Sequence, residues 1–144
     1  FAKQHGAIPI NAKEVDAVAE IKRLTQNKGV DVAVEMIGLP QTMKQALQAA
    51  GVMARVVIVG LAKESLEINT YTELLDNEVE LIGSNDHHLQ ELPTLVEMAR
   101  KKILDTTKIV SRTVPLDADA INAVLDDLEH FGSDIRTVIV PASD

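Results

Sequence analysis

The chain has no cysteine and no tryptophan, and aromatic residues make up only 2% of its 144 positions. Without cysteine there are no disulfides and no thiolate metal ligands, a composition expected of a cytoplasmic protein. So few rings exclude the stacking platforms on which single-stranded nucleic acids are held. Positive charge is also short. Lysine and arginine total 14 against 22 acidic residues, a formal net charge of −8. Nucleic acid and anionic membrane surfaces both select basic faces, so neither is an expected partner. No window of about 18 uncharged apolar residues exists that would span a bilayer, and the start shows no signal-peptide pattern. The remaining balance is ordinary for a globular protein, 46% apolar and 25% charged, in a chain long enough for a domain with a real core.

What is present is organised around Gly29 to Gly60. Two β-branched runs, Val30 to Ile37 and Val56 to Val59, each stop at a glycine, Gly38 and Gly60. Between them Met43, Ala46, Leu47 and Ala50 follow the spacing of one helix face. Pro40 stands where a first-turn proline is tolerated, because its missing N–H would have no intrahelical partner. Strand, helix and strand of these lengths predict a parallel βαβ unit, and the second run, apolar on both faces, predicts a strand covered by helices. A third run, Val79 to Ile82, also ends in a glycine, Gly83. Ligands of open α/β sheets bind beyond the carboxyl ends of the strands, and a glycine there lets a ligand approach the backbone. Three such glycines together predict a ligand-binding rim. Taken singly, each equally marks a turn.

The flanking segments extend the alternation. AKQHG reads as the tail of a helix stopped by Gly6, and Phe1 is no initiator methionine, so the chain is expected to be a fragment or a processed piece that begins in mid-element. Ala7 to Asn11 predicts a short strand, demoted to an edge or end by Pro9. Glu14 to Gln26 predicts a helix burying Ala17, Val18, Ile21 and Leu24. A short helix is expected over Tyr71 to Asp76 with Leu74 and Leu75 inward, and a longer one over Gln90 to Lys102 with an apolar stripe of Leu92, Leu95, Val96, Ala99 and Ile103. Thr107 to Val114 reads as a strand broken by Pro115. Asp117 is an N-cap for a helix burying Ile121, Val124, Leu125 and Leu128 and ended by Gly132, and Arg136 to Pro141 closes the chain as a strand. Alternating strands and helices predict an α/β fold with a mainly parallel sheet.

These residues resemble the C-terminal part of a zinc-dependent alcohol dehydrogenase of the medium-chain dehydrogenase/reductase family. AKQHGA followed by Ile10-Asn11, GVDVAVEMIG, QALQAAGVMARVVIVGL, ELIGS, KIVSRTVPLDADAINAVLDDL and RTVIVP match its segments in order along essentially the whole chain. The resemblance implies a partial Rossmann-type doubly wound sheet over residues 1–84, with its first two strands absent, and a segment returning to the catalytic domain over 85–144. It implies NAD or NADP as cofactor. Ile37 and Gly38 would lie along the adenosine side, Val59, Gly60 and Leu61 past the nicotinamide ribose, and Ser84 and Asn85 at the carboxamide. Arg136 aligns with an arginine that reaches the pyrophosphate in some members, a task suited to its fork of donors; a salt bridge beside Asp134 is the alternative. The implied substrate is an alcohol or carbonyl compound exchanging a hydride with the nicotinamide. The implied partner is a second copy, joined through the edge strand 79–83, which an uncapped edge also invites physically.

The sequence departs from that pattern in two ways. Met53-Ala54 stand where the family has a glycine pair, and the G-x-G-x-x-G phosphate loop and the zinc ligands are not found in this chain. The backbone cradle of that loop carries most pyrophosphate binding in such sites. This chain alone is therefore expected to bind dinucleotide poorly and to catalyse nothing, with zinc held in the parent enzyme by residues outside it. A zinc-free quinone or enoyl reductase shares this half of the fold, and a ligand-free dimerisation module is the reading from another class. Among other polar residues, His87-His88 read as a solvated loop before a metal site. Glu35 reads either as a tuned base or as a strand-end carboxylate satisfied by backbone N–H groups, and Asp126, Asp127 and Glu129 as a solvated helix face.

Overall fold

The computed structural model describes residues 2–105, 109–130, 132 and 134–141. The chain divides into two compact units, Phe1–Asp86 and His87–Asp144. In the first unit α1 (Ala17–Leu24), β1 (Val30–Glu35), α2 (Pro40–Ala49), β2 (Ala50–Ile58) and β3 (Glu80–Gly83) build a three-stranded parallel sheet of order β1-β2-β3. This is the expected α/β architecture, and the central strand shows why. Ala54 and Val56 of β2 are wholly buried, packed with Leu47 and Ala50 and flanked by Leu66, Ile68, Leu74 and Val79. The βαβ unit follows from local chemistry: Leu39 is extended, Pro40 opens α2, and Met43 and Leu47 on one face of α2 are buried.

Several expected boundaries move, for identifiable reasons. Helix α1 begins at Ala17, not Glu14, because Asn11 holds a separate turn, its Oδ1 accepting from the Lys13 N–H (3.1 Å) and its side-chain amide donating to Glu14 (2.7 Å). The true cap is Asp16, whose carboxylate accepts from Ala19 N (3.0 Å). The strand expected over Ala7 to Asn11 is absent: these residues lie in no ladder. A β-prone run needs a neighbouring strand to supply its hydrogen bonds, and Pro9 removes one donor besides. Strand β2 starts earlier than Val56, at Ala50. Tyr71–Leu75 form a π-helical turn, with Leu74 packed on the core but Leu75 66% exposed, contrary to the inward placement expected for both.

The β1–β2 register is irregular at its start. Val30 pairs with Ala50 but Val32 with Arg55, so β2 uses more residues than β1 over this stretch. Met53 lies within the excess at φ +57°, its N–H donating to Asn77 O (2.7 Å) and its side chain 72% exposed. A β-carbon costs about 1–2 kcal/mol in left-handed backbone, partly offset by the ordering entropy of a glycine in its place. Met53→Gly is therefore expected to leave stability unchanged or raise it by up to about 1 kcal/mol, seen as an equal or higher midpoint in thermal melting.

In the second unit β4 (Arg112–Pro115) and β5 (Thr137–Val140) pair in parallel, joined through α4 (Ala118–Glu129), and α3 (Leu92–Arg100) follows a 3-10 turn at Leu89–Glu91. Asp117 caps α4 as expected, accepting from Asp119 N and Ala120 N (3.1 and 3.0 Å). Pro115, expected to break this strand after Val114, is its last residue. Thr107, the expected start of that strand, lies outside the described residues. The apolar stripes of the two helices are less covered than their periodicity predicts: Leu95, Val96, Leu125 and Leu128 are all exposed. No described helix is long and apolar enough to cross a membrane.

Candidate functional site

Because β1, β2 and β3 are parallel, their carboxyl ends share one edge of the first unit. Seven of the eight expected site residues lie there: Ile37 and Gly38 after β1, Val59, Gly60 and Leu61 after β2, Ser84 and Asn85 after β3. Arg136 lies in the second unit, just before β5. Asp134, the partner proposed for it from sequence, pairs instead with Arg112 (3.5 Å), and the Arg136 guanidinium has no ion-pair partner among the described residues. Arg112 also meets Asp127 at 2.7 Å, so that part of the acidic face of α4 is paired rather than only solvated.

The hub of the edge is Glu35, the last residue of β1 and 4% exposed. Its Oε1 accepts from Ile37 N (2.9 Å), from Gly38 N (2.9 Å) and from the Thr42 hydroxyl (2.6 Å). Its main-chain carbonyl accepts from Val59 N (2.8 Å) and Gly60 N (3.1 Å). One residue thus engages the N–H groups of four of the seven edge positions. Of the two roles read for Glu35, this is the strand-end carboxylate. Burial pushes its carboxyl group up, but the Thr42 hydroxyl and the Gly38 and Ile37 N–H groups together outweigh it and hold the group below the ordinary glutamate value. A general base would need the opposite shift.

The glycines acquire a reason that the sequence does not show. Gly38 has φ +87°, and a β-carbon on it would overlap the Leu61 main chain. One on Gly60 would overlap the Gly38 N–H and lie 2.7 Å from Glu35 Oε2. The two turns cross in contact, and each glycine makes room for the other turn. Gly83 differs, with nothing within 4 Å of its added β-carbon. The Ser84 N–H is committed to Ile58 O (2.9 Å).

The edge therefore has few free backbone donors but much exposed apolar surface: Ile37 is 68% and Leu61 86% exposed. Beside it a groove of about 470 Å³ runs along the open side of β1, lined by Val30, Val32, Val34, Met36, Ile37 and Ala46 among others. Such a surface suits rings and sugars and offers little to a phosphate, which needs N–H groups or cations. Sequence reasoning missed Thr42. A threonine in the first turn of a helix has no signature that distinguishes a partner seven residues back from solvent. Among the described residues no group of three His, Asp or Glu side chains could hold a metal ion; His88 N donates to Glu91 Oε2 (2.8 Å), capping the 3-10 turn.

Comparison with known proteins gives this geometry its family. The family model for zinc-binding dehydrogenases matches residues 1–101. The chain is 32% identical to an NAD-dependent alcohol dehydrogenase of Sulfurisphaera tokodaii over 144 aligned positions, which take in 97% of this chain and 39% of that protein. It is 32% identical to a sorbitol dehydrogenase of Bacillus subtilis over 117 positions, 81% of this chain and 33% of that one. The fold superposes on 2R,3R-butanediol dehydrogenase from Bacillus subtilis with a TM-score of 0.85 and 27% identity, covering 98% of this chain and 40% of that one. The chain thus spans about two fifths or less of the length of the relatives it matches. With the parallel sheet, its glycine-crossed edge and a family match over residues 1–101, this chain belongs to the zinc-binding dehydrogenase family.

Proposed function

We propose that this chain is the C-terminal portion of an NAD(P)-dependent, zinc-type alcohol or polyol dehydrogenase. The observation that carries the reading is the shared edge of three parallel strands, where Ile37-Gly38, Val59 to Leu61 and Ser84-Asn85 come together in a chain of this family. The residues present fit the rings and riboses of a dinucleotide. Ile37 and Gly38 would hold the adenosine side, Val59, Gly60 and Leu61 the nicotinamide ribose, and Ser84 and Asn85 the carboxamide. The pyrophosphate fits this edge poorly, because most of the nearby N–H groups are already bonded. In this reading it is held mainly by backbone donors outside the chain, with Arg136 contributing a guanidinium. When bound, the nicotinamide supplies a hydride acceptor, and zinc on ligands outside this chain supplies a Lewis acid for the alcohol oxygen. Residues 85–144 serve as the return segment of the catalytic domain. Two copies pair through β3, whose outer edge has no strand beside it among the described residues.

The test is direct. The protein that contains this chain, purified with zinc, is expected to reduce NAD or NADP with a small alcohol or polyol, read as the appearance of reduced-nicotinamide absorbance. The 144-residue chain alone is expected to show no turnover and much weaker dinucleotide binding in calorimetry. Failure of the larger protein to bind either dinucleotide would reject the dehydrogenase reading and leave a folded assembly module.

A further inference from the structure

We propose that Glu35 is a positioning residue: its buried carboxylate, through Ile37 N, Gly38 N and the Thr42 hydroxyl, sets the spacing between the two crossed turns that form the dinucleotide edge. The inference rests on the dehydrogenase reading and concerns a residue that touches no ligand itself.

The geometry leaves little room for another role. Glu35 is 4% exposed, and no lysine or arginine lies within ion-pair distance of its carboxylate among the described residues. It is held instead by three donors on Oε1 at 2.6–2.9 Å and by a longer contact from Gly38 N to Oε2 (3.2 Å). A buried carboxylate satisfied only by hydrogen-bond donors rigidifies whatever carries those donors. Here the donors belong to the turn after β1 and to the first turn of α2. The same residue's carbonyl holds the Val59 and Gly60 N–H groups of the turn after β2. Side chain and main chain of one glutamate thereby fix both walls of the edge, and the missing β-carbon of Gly60 lets the second wall lie against the carboxylate. A ligand resting across Ile37 and Leu61 would feel any change in their separation. The buried anion and the engaged N–H groups also make this stretch unfavourable for a phosphate, so the positioned surface faces the uncharged parts of the dinucleotide.

The experiment compares the full protein containing this chain as wild type, Glu35→Gln and Thr42→Val. Glu35→Gln keeps an acceptor oxygen but loses the charge. Thr42→Val removes one donor and is the safer variant for folding. We expect the dissociation constant of NAD or NADP, measured by calorimetry, to rise about tenfold in Glu35→Gln, the size of one weakened charge-assisted hydrogen bond, and by a smaller factor in Thr42→Val. The KM for dinucleotide should follow the binding constant, while the KM for alcohol and kcat change far less. Without cofactor, amide hydrogen exchange at Ile37 and Gly38 should quicken in both variants. Unchanged dinucleotide affinity in both overturns the proposal, as does a fall in apparent kcat that tracks lost folded protein with both KM values unchanged. A wild type that binds no dinucleotide overturns the dehydrogenase reading and this proposal together. A wild type that binds, with variants that bind equally well, overturns this proposal alone.

Discussion

Replacing Gly60 by alanine is expected to destabilise the first unit by about 3 kcal/mol or more, beyond the range of ordinary surface substitutions. The added β-carbon would overlap the Gly38 N–H and lie 2.7 Å from both Gly38 Cα and Glu35 Oε2. Two of those atoms are main chain and cannot turn aside as a flexible side-chain tip would. Relief requires the two turns to separate, which stretches the bonds from Val59 N and Gly60 N to the Glu35 carbonyl. Gly38→Ala should be at least as severe, because φ +87° adds backbone strain to overlap with Leu61. Gly83→Ala is the control. Nothing lies within 4 Å of its added β-carbon, so its effect should stay within about 0.5 kcal/mol. Urea unfolding of the three variants measures the series, with amide exchange at Val59 and Gly60 as a local readout. A Gly60→Ala variant as stable as the Gly83→Ala control would mean that the turns do not touch, and the account of the edge would fall with it.

The second large effect concerns acid. Glu35→Ala leaves the buried Gly38 N–H and the Ile37 N–H without their acceptor, while the Thr42 hydroxyl retains the Leu39 carbonyl 2.9 Å away. At about 1–3 kcal/mol for each orphaned donor, a loss of about 3 kcal/mol at neutral pH is expected. In the wild-type protein the same contacts make stability depend on pH. Burial raises the Glu35 carboxyl group, but the bonds from Thr42, Gly38 and Ile37 together hold it below its ordinary value, so its folded-state pKa is depressed. A depressed carboxylate contributes stability that is present above the unfolded value, about 4.3, and is lost as pH falls through the folded value. Glu73 acts in the same direction. The Lys44 ammonium bonded to it at 2.6 Å lowers its carboxyl group, burial opposes this, and the Asn69 N–H adds to the lowering. The acid limb of the stability curve should therefore flatten in Glu35→Gln, measured as unfolding midpoint against pH. An unaltered acid limb would show that Glu35 does not titrate with folding.

Local pattern was enough for the elements that carry a strong period. Strand β1, helix α2, the end of β2, the Asp117 cap and the closing strand lie within a few residues of their predicted places, because burial of one face and satisfaction of end groups are decided by neighbours along the chain. The start of β2, at Ala50 and so six residues earlier than the predicted Val56, does not. The same local reasoning placed a strand over Ala7 to Asn11 that does not form. Extended propensity cannot supply the partner strand a ladder requires, and the described chain has none beside it. It also drew Leu75 inward, where a π-helical turn rotates it out.

The amino-acid sequence by itself determined the fold class, the family and the edge at which strand ends and glycines gather. These follow from periodicity, from residue order and from the permissiveness of glycine. The tertiary structure alone decided what Gly38 and Gly60 do there and that Thr42 completes the set of donors on Glu35. Whether a missing β-carbon admits a ligand or another stretch of backbone depends on which chains cross at that point, and Gly38 and Gly60 are 22 residues apart by their numbers. Two donors on Glu35, the Ile37 and Gly38 N–H groups, are chain neighbours, as the strand-end reading expects; the third, the Thr42 hydroxyl, reaches it only once α2 has turned back over the end of β1. Contacts of that kind are set by packing between segments, and no local spacing in the sequence encodes them.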